Sequence, residues 1–208
     1  MRITAEARQK TRERLLAVAH KLLARRSLSD VTTREVAEHA GAAHATLFNY
    51  FPTKEDLALA LCRRLLDEAE ADFAARRRGD EALDEDLFAH AAAGLRRLQP
   101  YRQWAGALLA AALRPLPGAP DAPGADDPAA LQARHLATVR EVIARQRGAD
   151  AASPVALHLY WSLWLGVLTW WAADPSENQQ DTLAVLDHSL RMFAASLDGA
   201  APVPGDAT

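Results

Sequence analysis

Apolar residues recur along the chain at the three- and four-residue spacing of an α-helix, and no stretch sustains the alternation of a β-strand. This pattern predicts an all-α fold. Residues 114–127 and 198–208 have little apolar bulk, so we predict a flexible surface loop and a disordered tail there. The predicted helices span Ala5–Arg25, Thr33 to Gly41, His44–Tyr50, Lys54–Arg77, Glu85–Leu98, Arg102–Leu113, Pro128–Arg147, Pro154–Ala173 and Pro175–Leu197.

The two short helices between residues 31 and 54 are the most informative part of the chain. Thr32 and Glu35 have the spacing of a capping box, which predicts a helix start at Thr33. Gly41 ends that helix after two turns, because glycine adopts the left-handed conformation without a side-chain penalty. A small residue four positions before this glycine and a leucine six positions after it face the same interface. The segment therefore predicts a helix-turn-helix.

Charge is distributed unevenly along the chain. Residues 1–54 hold ten Lys or Arg against five Asp or Glu, whereas residues 55–208 hold fourteen basic and twenty-two acidic residues. One end of the protein can therefore attract phosphate while the remainder repels it. We predict a DNA-binding domain at residues 1–54 and a larger helical domain at residues 55–197, with the fourth helix connecting them.

The helix-turn-helix segment resembles the TetR family of bacterial transcription regulators. The residues that carry the resemblance are those at positions 32–37, 41–43, 46–51 and 53–54. Two positions depart from the family pattern. Ala43 stands where a serine usually caps the recognition helix, which should weaken that helix by about 1 kcal/mol. Phe48 replaces a tyrosine whose hydroxyl commonly meets a phosphate.

Geometry and the resemblance together imply roles for the residues of this segment. Leu47 and Phe51 are expected to face inward, whereas the opposite face of the helix can reach base edges in the major groove. Other residues would hold phosphates and set the register on the duplex. The predicted base contacts are His44, Ala45, Thr46, Asn49 and, one turn into the preceding helix, Arg34; Thr33, Tyr50 and Lys54 would hold phosphates, and Thr32 and Phe48 complete the predicted DNA-binding set.

The segment Val155–Ala173 has only three polar side chains in nineteen residues, which approaches the length of a membrane span. The flanking Asp174 and Glu177, and four tryptophans inside the segment, argue against a span. A helix that is apolar all round must be covered on every side, and we expect a second copy of the chain to cover part of it. The resemblance implies the same, because the last two long helices form the dimer interface in the TetR family.

In the resembled family the middle helices enclose a ligand pocket. Polar-tipped aromatic residues on the helices of the larger domain are the candidates for such a pocket, although each could instead be core or dimer packing. The effector would then be largely apolar or aromatic. The candidate residues are Tyr101, Trp104, His135, His158, Trp161 and Trp164.

Several other classes of function find little support in the sequence. No Glu-x-x-His pair, phosphate loop, dinucleotide fingerprint or nucleophile elbow is present, so we expect no catalytic residue, metal or cofactor. Asp86 and His90 lie one turn apart and are interpreted as a surface contact. The single cysteine, Cys62, is expected to be a buried thiol, and with an N-terminus lacking an apolar run it favours the cytoplasm.

The sequence thus predicts a ligand-responsive, sequence-specific DNA-binding regulator. We expect a homodimeric repressor that a small, largely apolar effector releases from a palindromic operator. The alternative is a helical-bundle enzyme or cofactor-binding protein that does not bind DNA.

Overall fold

The computed structural model describes residues 4–104 and 128–198, and these ranges contain only helices, turns and loops, without a β-strand. The predicted all-α fold is confirmed. The short 3₁₀ helices in the described ranges are Gln99–Trp104, Ala149–Ala152 and Glu177–Gln179. The α-helices in the same ranges are α1 (Ala5–Leu23), α2 (Thr33–His39), α3 (His44–Phe48), α4 (Lys54–Arg76), α5 (Leu83–Leu98), α6 (Pro128–Arg147), α7 (Pro154–Ala173) and α8 (Gln180–Asp198).

Hydroxyl caps account for three of the helix starts that the sequence predicts. Thr4 accepts a hydrogen bond from the third backbone N–H of α1 at 3.2 Å, and Thr32 does the same for α2 at 3.1 Å. Ser153 caps α7 at 3.2 Å, and Pro154 follows in the first turn, where its missing N–H costs nothing. These caps place the starts of α1, α2 and α7 where we predict them.

The last helix starts later than predicted. It begins at Gln180 rather than Pro175, because Asn178 and Gln179 adopt left-handed φ values of 53° and 54° and interrupt the helical path. Asp174 still organises this turn, accepting hydrogen bonds from the Ser176 N–H at 2.8 Å and the Thr182 N–H at 2.9 Å. Burial opposes ionisation of Asp174, but these hydrogen bonds hold the pKa of its carboxyl below the usual range.

Three predicted segments fall largely outside the described residues. The predicted helix Arg102–Leu113 is described only to residue 104, and those first residues belong to the 3₁₀ helix Gln99–Trp104. The predicted loop at residues 114–127 lies outside the description, and so does the predicted tail beyond residue 198.

The described residues divide into two compact units. The first unit comprises residues 4–68, 97–104 and 128–130, and the second comprises residues 69–96 and 131–198. Each unit has a buried apolar core of its own. The core of the first includes Leu15, Leu16, Leu23, Leu47, Phe51 and Leu61, and the core of the second includes Leu83, Leu87, Val139, Ile143, Tyr160 and Leu190. The predicted domain boundaries at residues 54 and 197 remain predictions.

A buried ion pair stabilises the second unit. Asp86 on α5 is 1% exposed and accepts hydrogen bonds from the Arg77 guanidinium at 3.0 and 2.5 Å. The side-chain amide of Gln146 donates to the same carboxylate at 2.6 Å. The interpretation of Asp86 and His90 as a surface contact is therefore wrong, since both side chains are buried and each has its own neighbours.

Helix α7 has two apolar faces with different surroundings. One face is buried in the second unit through residues such as Tyr160, Trp164 and Trp171. The other remains exposed, with Val155 65% and Leu159 50% accessible. None of the helices in residues 4–104 and 128–198 combines the length and hydropathy needed to cross a membrane.

Candidate functional site

The turn between α2 and α3 is a left-handed glycine cap. Gly41 has a φ of 60°, a conformation that strains any residue with a side chain. The Ala42 N–H bonds the carbonyl of Ala37 at 2.9 Å and the Gly41 N–H bonds that of Glu38 at 3.0 Å, which closes the end of α2. This turn directs the chain into α3 within four residues.

Arg26, in the loop after α1, is tied to the start of α2. Its guanidinium donates to the Glu35 carboxylate at 2.5 Å and also to the backbone carbonyl of Asp30. The hydrogen bond from Arg26 lowers the pKa of Glu35, so that carboxylate stays ionised. Glu35 thus joins the loop to α2 besides belonging to the capping box.

Helix α3 is shorter and less well capped than its neighbour. It ends at Phe48, two residues before the predicted end, and Asn49 forms its C-cap. Ala43, at the N-cap, has the extended conformation of a capping residue but makes no side-chain hydrogen bond, as the sequence predicts. The helix therefore depends on its buried contacts, chiefly those of Leu47, which is 0% exposed.

The predicted DNA-binding residues lie on the surface of the first unit. Leu47 and Phe51 are buried, as expected for the inward face. Solvent reaches every residue of the predicted set to some degree, so the outward face is available for contact. Thr32, Arg34, Ala45, Phe48 and Asn49 are exposed, and Thr33, His44, Thr46, Tyr50 and Lys54 are half-buried.

Two predicted contact residues bind each other. The His44 Nε2 atom lies 3.0 Å from the Thr33 hydroxyl, which joins the start of α3 to the start of α2. The His44 ring also meets the exposed ring of Phe48 edge-on, with centroids 4.8 Å apart. Sequence spacing does not reveal this pairing, because the residues are eleven positions apart and on different helices.

Basic residues lie on the helices before and after the helix-turn-helix. The Arg12 guanidinium of α1 lies 5.3 Å from the centre of the Phe51 ring, so α1 contacts the chain just after α3. Lys54 opens α4, whose start is capped reciprocally by Thr53 and Asp56 at 2.9 and 3.0 Å. The cap fixes the direction of the helix on which Lys54 lies.

A cluster of aromatic rings occupies the second unit and contains three of the predicted ligand-binding residues. The His135 ring stacks on Trp164 with centroids 5.3 Å apart and lies 6.0 Å from Trp161. The His135 ring also stacks on His90 at 4.7 Å, and its Nε2 atom lies 3.2 Å from the Tyr160 hydroxyl. We call these five residues the ring cluster. His90 and Tyr160 were not among the predicted ligand-binding residues.

Both histidines of the ring cluster are held neutral. Burial lowers the pKa of His90 to about 4, and its Nδ1 atom is buried without a hydrogen-bond partner. Although part of the His135 surface is accessible, burial among its neighbours, together with the nearby His90, lowers its pKa well below the usual value. The ring cluster is therefore an aromatic environment with neutral hydrogen-bonding groups and no charge of its own.

The other predicted ligand-binding residues lie elsewhere. Tyr101 and Trp104 belong to the first unit, where their rings lie 4.8 Å apart and the Tyr101 hydroxyl contacts His20. His158 is on α7 and exposed. The periodicity of single helices could not distinguish these surroundings from those of His135.

The described residues hold no candidate metal centre, since no three His, Cys, Asp or Glu side chains among them converge. Cys62 is buried, and burial raises the pKa of its thiol to about 12. The thiol therefore stays protonated and is a poor nucleophile.

Comparison with known proteins agrees with these features. Residues 15–61 match the family model for bacterial regulatory proteins of the tetR family. A 56-residue segment is 38% identical to the HTH-type transcriptional regulator EthR of Mycobacterium tuberculosis. That match covers 27% of this chain and 26% of EthR, so the chain spans about a quarter of the length of the curated relatives it matches.

Solved structures extend the likeness in fold to most of the chain. A TetR transcriptional regulator from Rhodococcus sp. RHA1 superposes with a TM-score of 0.65 at 19% identity, covering 89% of this chain and 96% of that one. Thermus thermophilus FadR, a TetR family transcriptional repressor solved in complex with lauroyl-CoA, gives a TM-score of 0.60 at 25% identity, covering 93% and 99%.

The fold and the site define a helix-turn-helix domain followed by a further helical region. Residues 15–61 carry the pattern of the tetR family of bacterial regulatory proteins, and the fold of the chain is similar to that of TetR-family structures.

Proposed function

We propose that this protein is a repressor that binds a palindromic operator as a homodimer in the cytoplasm. A small, largely apolar effector releases it. The observation that carries the proposal is the accessible face of α3, which the Gly41 turn presents while Leu47 anchors the opposite face. A helix held in this way can enter the major groove without unfolding any part of its own support.

The surface chemistry around α3 suits a DNA duplex. Asn49 is exposed at the end of α3 and can pair bidentately with adenine, and the methyl groups of Ala45 and Thr46 suit thymine. Arg34 is exposed on α2 and is our candidate for a guanine contact. Lys54 supplies a positive charge for a phosphate, which adds affinity without sequence preference.

Selection of duplexes from a random library by the purified protein tests DNA binding. The Asn49→Ala variant should lose about 1–3 kcal/mol on the enriched duplex and little on random DNA, whereas Lys54→Ala should weaken both. Arg140→Ala, which removes an exposed charge from α6, is the matched control. Equal losses on both duplexes for Asn49→Ala would refute the base-reading role. Retention of no duplex would favour the helical-bundle enzyme.

The exposed apolar face of α7 and α8 supports a homodimer. Leu163 and Trp170 extend the exposed face of α7, at 37% and 48% accessibility, and Met192 on α8 is 62% accessible. Gly166 lies on the same face with open space above it, where a second helix could approach closely. Two helix-turn-helix segments, one from each copy of the chain, are needed because one short helix buries too little surface to specify an operator.

The apolar stripe of α8 faces the core of the second unit. Leu183, Leu186, Leu190 and Phe193 form its apolar stripe, but the last three are at most 3% exposed within the chain itself. They are core residues of the second unit. Substitutions that test dimerisation therefore belong on Leu159 or Met192.

The ring cluster is our candidate for the effector site. Its stacked rings and neutral histidines suit an uncharged aromatic or aliphatic molecule, since a charged ligand would have no partner there. The lauroyl-CoA bound by Thermus FadR combines a long apolar chain, which belongs to this class, with a charged CoA group, which would have to stay outside the ring cluster.

Tryptophan fluorescence tests the effector proposal, because two of the five tryptophans of the chain are in the ring cluster. Titration with 2-naphthol and with lauroyl-CoA should change the emission of the free protein. The enriched duplex should shift that titration to higher ligand concentration, by the factor by which the ligand weakens DNA binding. If a probe binds the free and the DNA-bound protein with equal affinity, that probe is not an effector of the kind proposed.

A further inference from the structure

Phe48 is the one large apolar side chain that stays exposed in the described part of the first unit. It is 41% exposed, whereas the other exposed large apolar side chains of the described residues all lie on α7 and α8 of the second unit. A single exposed apolar residue is ordinary on a protein surface. Phe48 differs from such residues in its position and in the contacts that hold its ring.

The ring of Phe48 lies on the outward face of α3. Phe48 is the last residue of this helix, and the buried Leu47 beside it anchors the inward face. Residues three and four apart share a face of a helix, so Phe48 lies beside Ala45 and His44. Asn49, the exposed C-cap, follows directly. An apolar ring therefore belongs to the same surface as the residues proposed to contact base edges.

Two contacts hold the Phe48 ring in place. The His44 ring meets it edge-on with centroids 4.8 Å apart, which is a favourable arrangement for two aromatic rings. The His44 Nε2 atom lies 3.0 Å from the hydroxyl of Thr33, the first residue of α2. The side chain of Phe48 is thus supported from a second helix, so that less side-chain entropy is lost when a partner covers the ring.

The chemistry of the ring restricts what it can contact on DNA. Phenylalanine has no hydrogen-bond donor or acceptor, so it can bond neither a phosphate oxygen nor a polar atom of a base edge. The apolar group that a base pair presents in the major groove is the C5-methyl group of thymine. The base 5-methylcytosine carries a methyl group at the same ring position. Since residues 1–54 hold ten basic against five acidic residues, the surroundings of the ring favour DNA as the partner.

We propose that Phe48 is a specificity-determining residue, which contacts the C5-methyl group of a pyrimidine in the major groove. The inference rests on the proposed function. It assigns to the end of α3 an apolar contact that is separate from the hydrogen bonds proposed for Asn49. Burial of one methyl group corresponds to about a fourfold gain in affinity.

The test replaces thymine by uracil in the duplex that the wild-type protein enriches from a random library. Uracil lacks the methyl group and keeps every hydrogen-bonding group of thymine, so only apolar contacts change. Each thymine is replaced in turn, and affinities are measured by fluorescence anisotropy at one salt concentration. At the thymine that Phe48 contacts, the wild-type protein should bind about fourfold more weakly after replacement. Phe48→Ala should bind the thymine and uracil duplexes with equal affinity at that position.

Two further variants separate the methyl contact from other effects on the same surface. Phe48→Leu keeps an apolar side chain and should retain a loss on uracil at the same position. Asn49→Ala should weaken binding of the enriched duplex but leave the loss on uracil at that position unchanged. Because Phe48 is exposed, Phe48→Ala should fold as the wild-type protein does, which circular dichroism checks.

A second pair of duplexes identifies the base that carries the methyl group. The thymine–adenine pair at the same position is replaced by cytosine–guanine or by 5-methylcytosine–guanine. If the methyl group is recognised on either base, the wild-type protein should bind the methylated duplex about fourfold more tightly than the unmethylated one. If it is recognised on thymine alone, these two duplexes should bind equally while the loss on uracil remains.

Equal losses on uracil in the wild-type protein and Phe48→Ala at every thymine would overturn the inference. The absence of any loss in the wild-type protein would overturn it as well. In both cases the enriched duplex would still support DNA binding. Failure of the wild-type protein to enrich any duplex would instead refute the proposed function itself.

Discussion

Replacement of His90 by phenylalanine should remove a specific sensitivity of this protein to acid. His90 is 4% exposed, stacks on His135 at 4.7 Å, lies 5.3 Å from the Phe73 ring, and has a buried Nδ1 atom without a partner. Phenylalanine has a similar shape and retains the ring contacts. The substitution therefore removes the titrating group while largely preserving the packing.

The magnitude follows from the difference in pKa between the folded and unfolded states. Burial lowers the pKa of His90 from 6.5 to about 4, so the unfolded chain binds a proton more readily. The associated stability is fully present above pH 6.5 and is lost as the pH falls from there towards 4. At pH 5 the loss should be about 2 kcal/mol, at about 1.4 kcal/mol per pH unit. The pKa of His135 is shifted in the same direction and adds to the loss.

Urea unfolding at pH 7.5 and pH 5.0, followed by circular dichroism at one protein concentration, measures the effect. His90→Phe should lose about 2 kcal/mol less than the wild-type protein between the two pH values. At pH 7.5 it should be more stable by about 1 kcal/mol, because a buried polar atom without a partner has been removed. His188→Gln, at an exposed position on α8, is the control and should behave as wild type. Equal losses in wild type and His90→Phe would refute the reasoning.

Four other substitutions test three separate features. Asp86→Asn should lower the free energy of unfolding, measured in urea, by about 3–5 kcal/mol, because the Arg77 guanidinium, which is only 15% exposed, loses its counter-charge. A loss below about 1 kcal/mol would contradict this. Leu159→Glu should give a folded monomer in sedimentation, whereas Leu186→Glu should unfold the second unit; a dimeric Leu159→Glu would remove α7 from the interface. Ala43→Ser should raise stability by about 0.5–1 kcal/mol, because the N-cap backbone is already extended; no gain in urea unfolding would show that α3 needs no side-chain cap.

Local signals in the sequence were sufficient for most helices of the described residues. Thr32 and Ser153 cap helices through hydrogen bonds that span three residues, so short spacing rules find them. The same rules do not find the start of α8. There the left-handed Asn178 and Gln179 separate Asp174 from the helix it organises, and neither residue type signals that conformation as glycine does.

Contacts between distant residues could not be predicted from periodicity. Asp86 is buried because Arg77 and Gln146 neutralise and bond it, and Gln146 is sixty residues away. Likewise the apolar stripe of α8 does not reveal which leucines the chain itself covers and which stay exposed. For the helix-turn-helix, the inward and outward faces follow from spacing alone, but the bond between Thr33 and His44 does not.

That bond between Thr33 and His44 limits how a DNA sequence can be distinguished at one position. If His44 contacts a base edge through Nε2, it must first release the Thr33 hydroxyl, so the net gain is the difference between two hydrogen bonds. A base that offers a better hydrogen-bond partner than the Thr33 hydroxyl draws the imidazole away, and any other base leaves it in place. Two operators that differ at this base pair would then be bound with two rotamers of the same side chain. Discrimination between them would be smaller than the strength of the base contact itself.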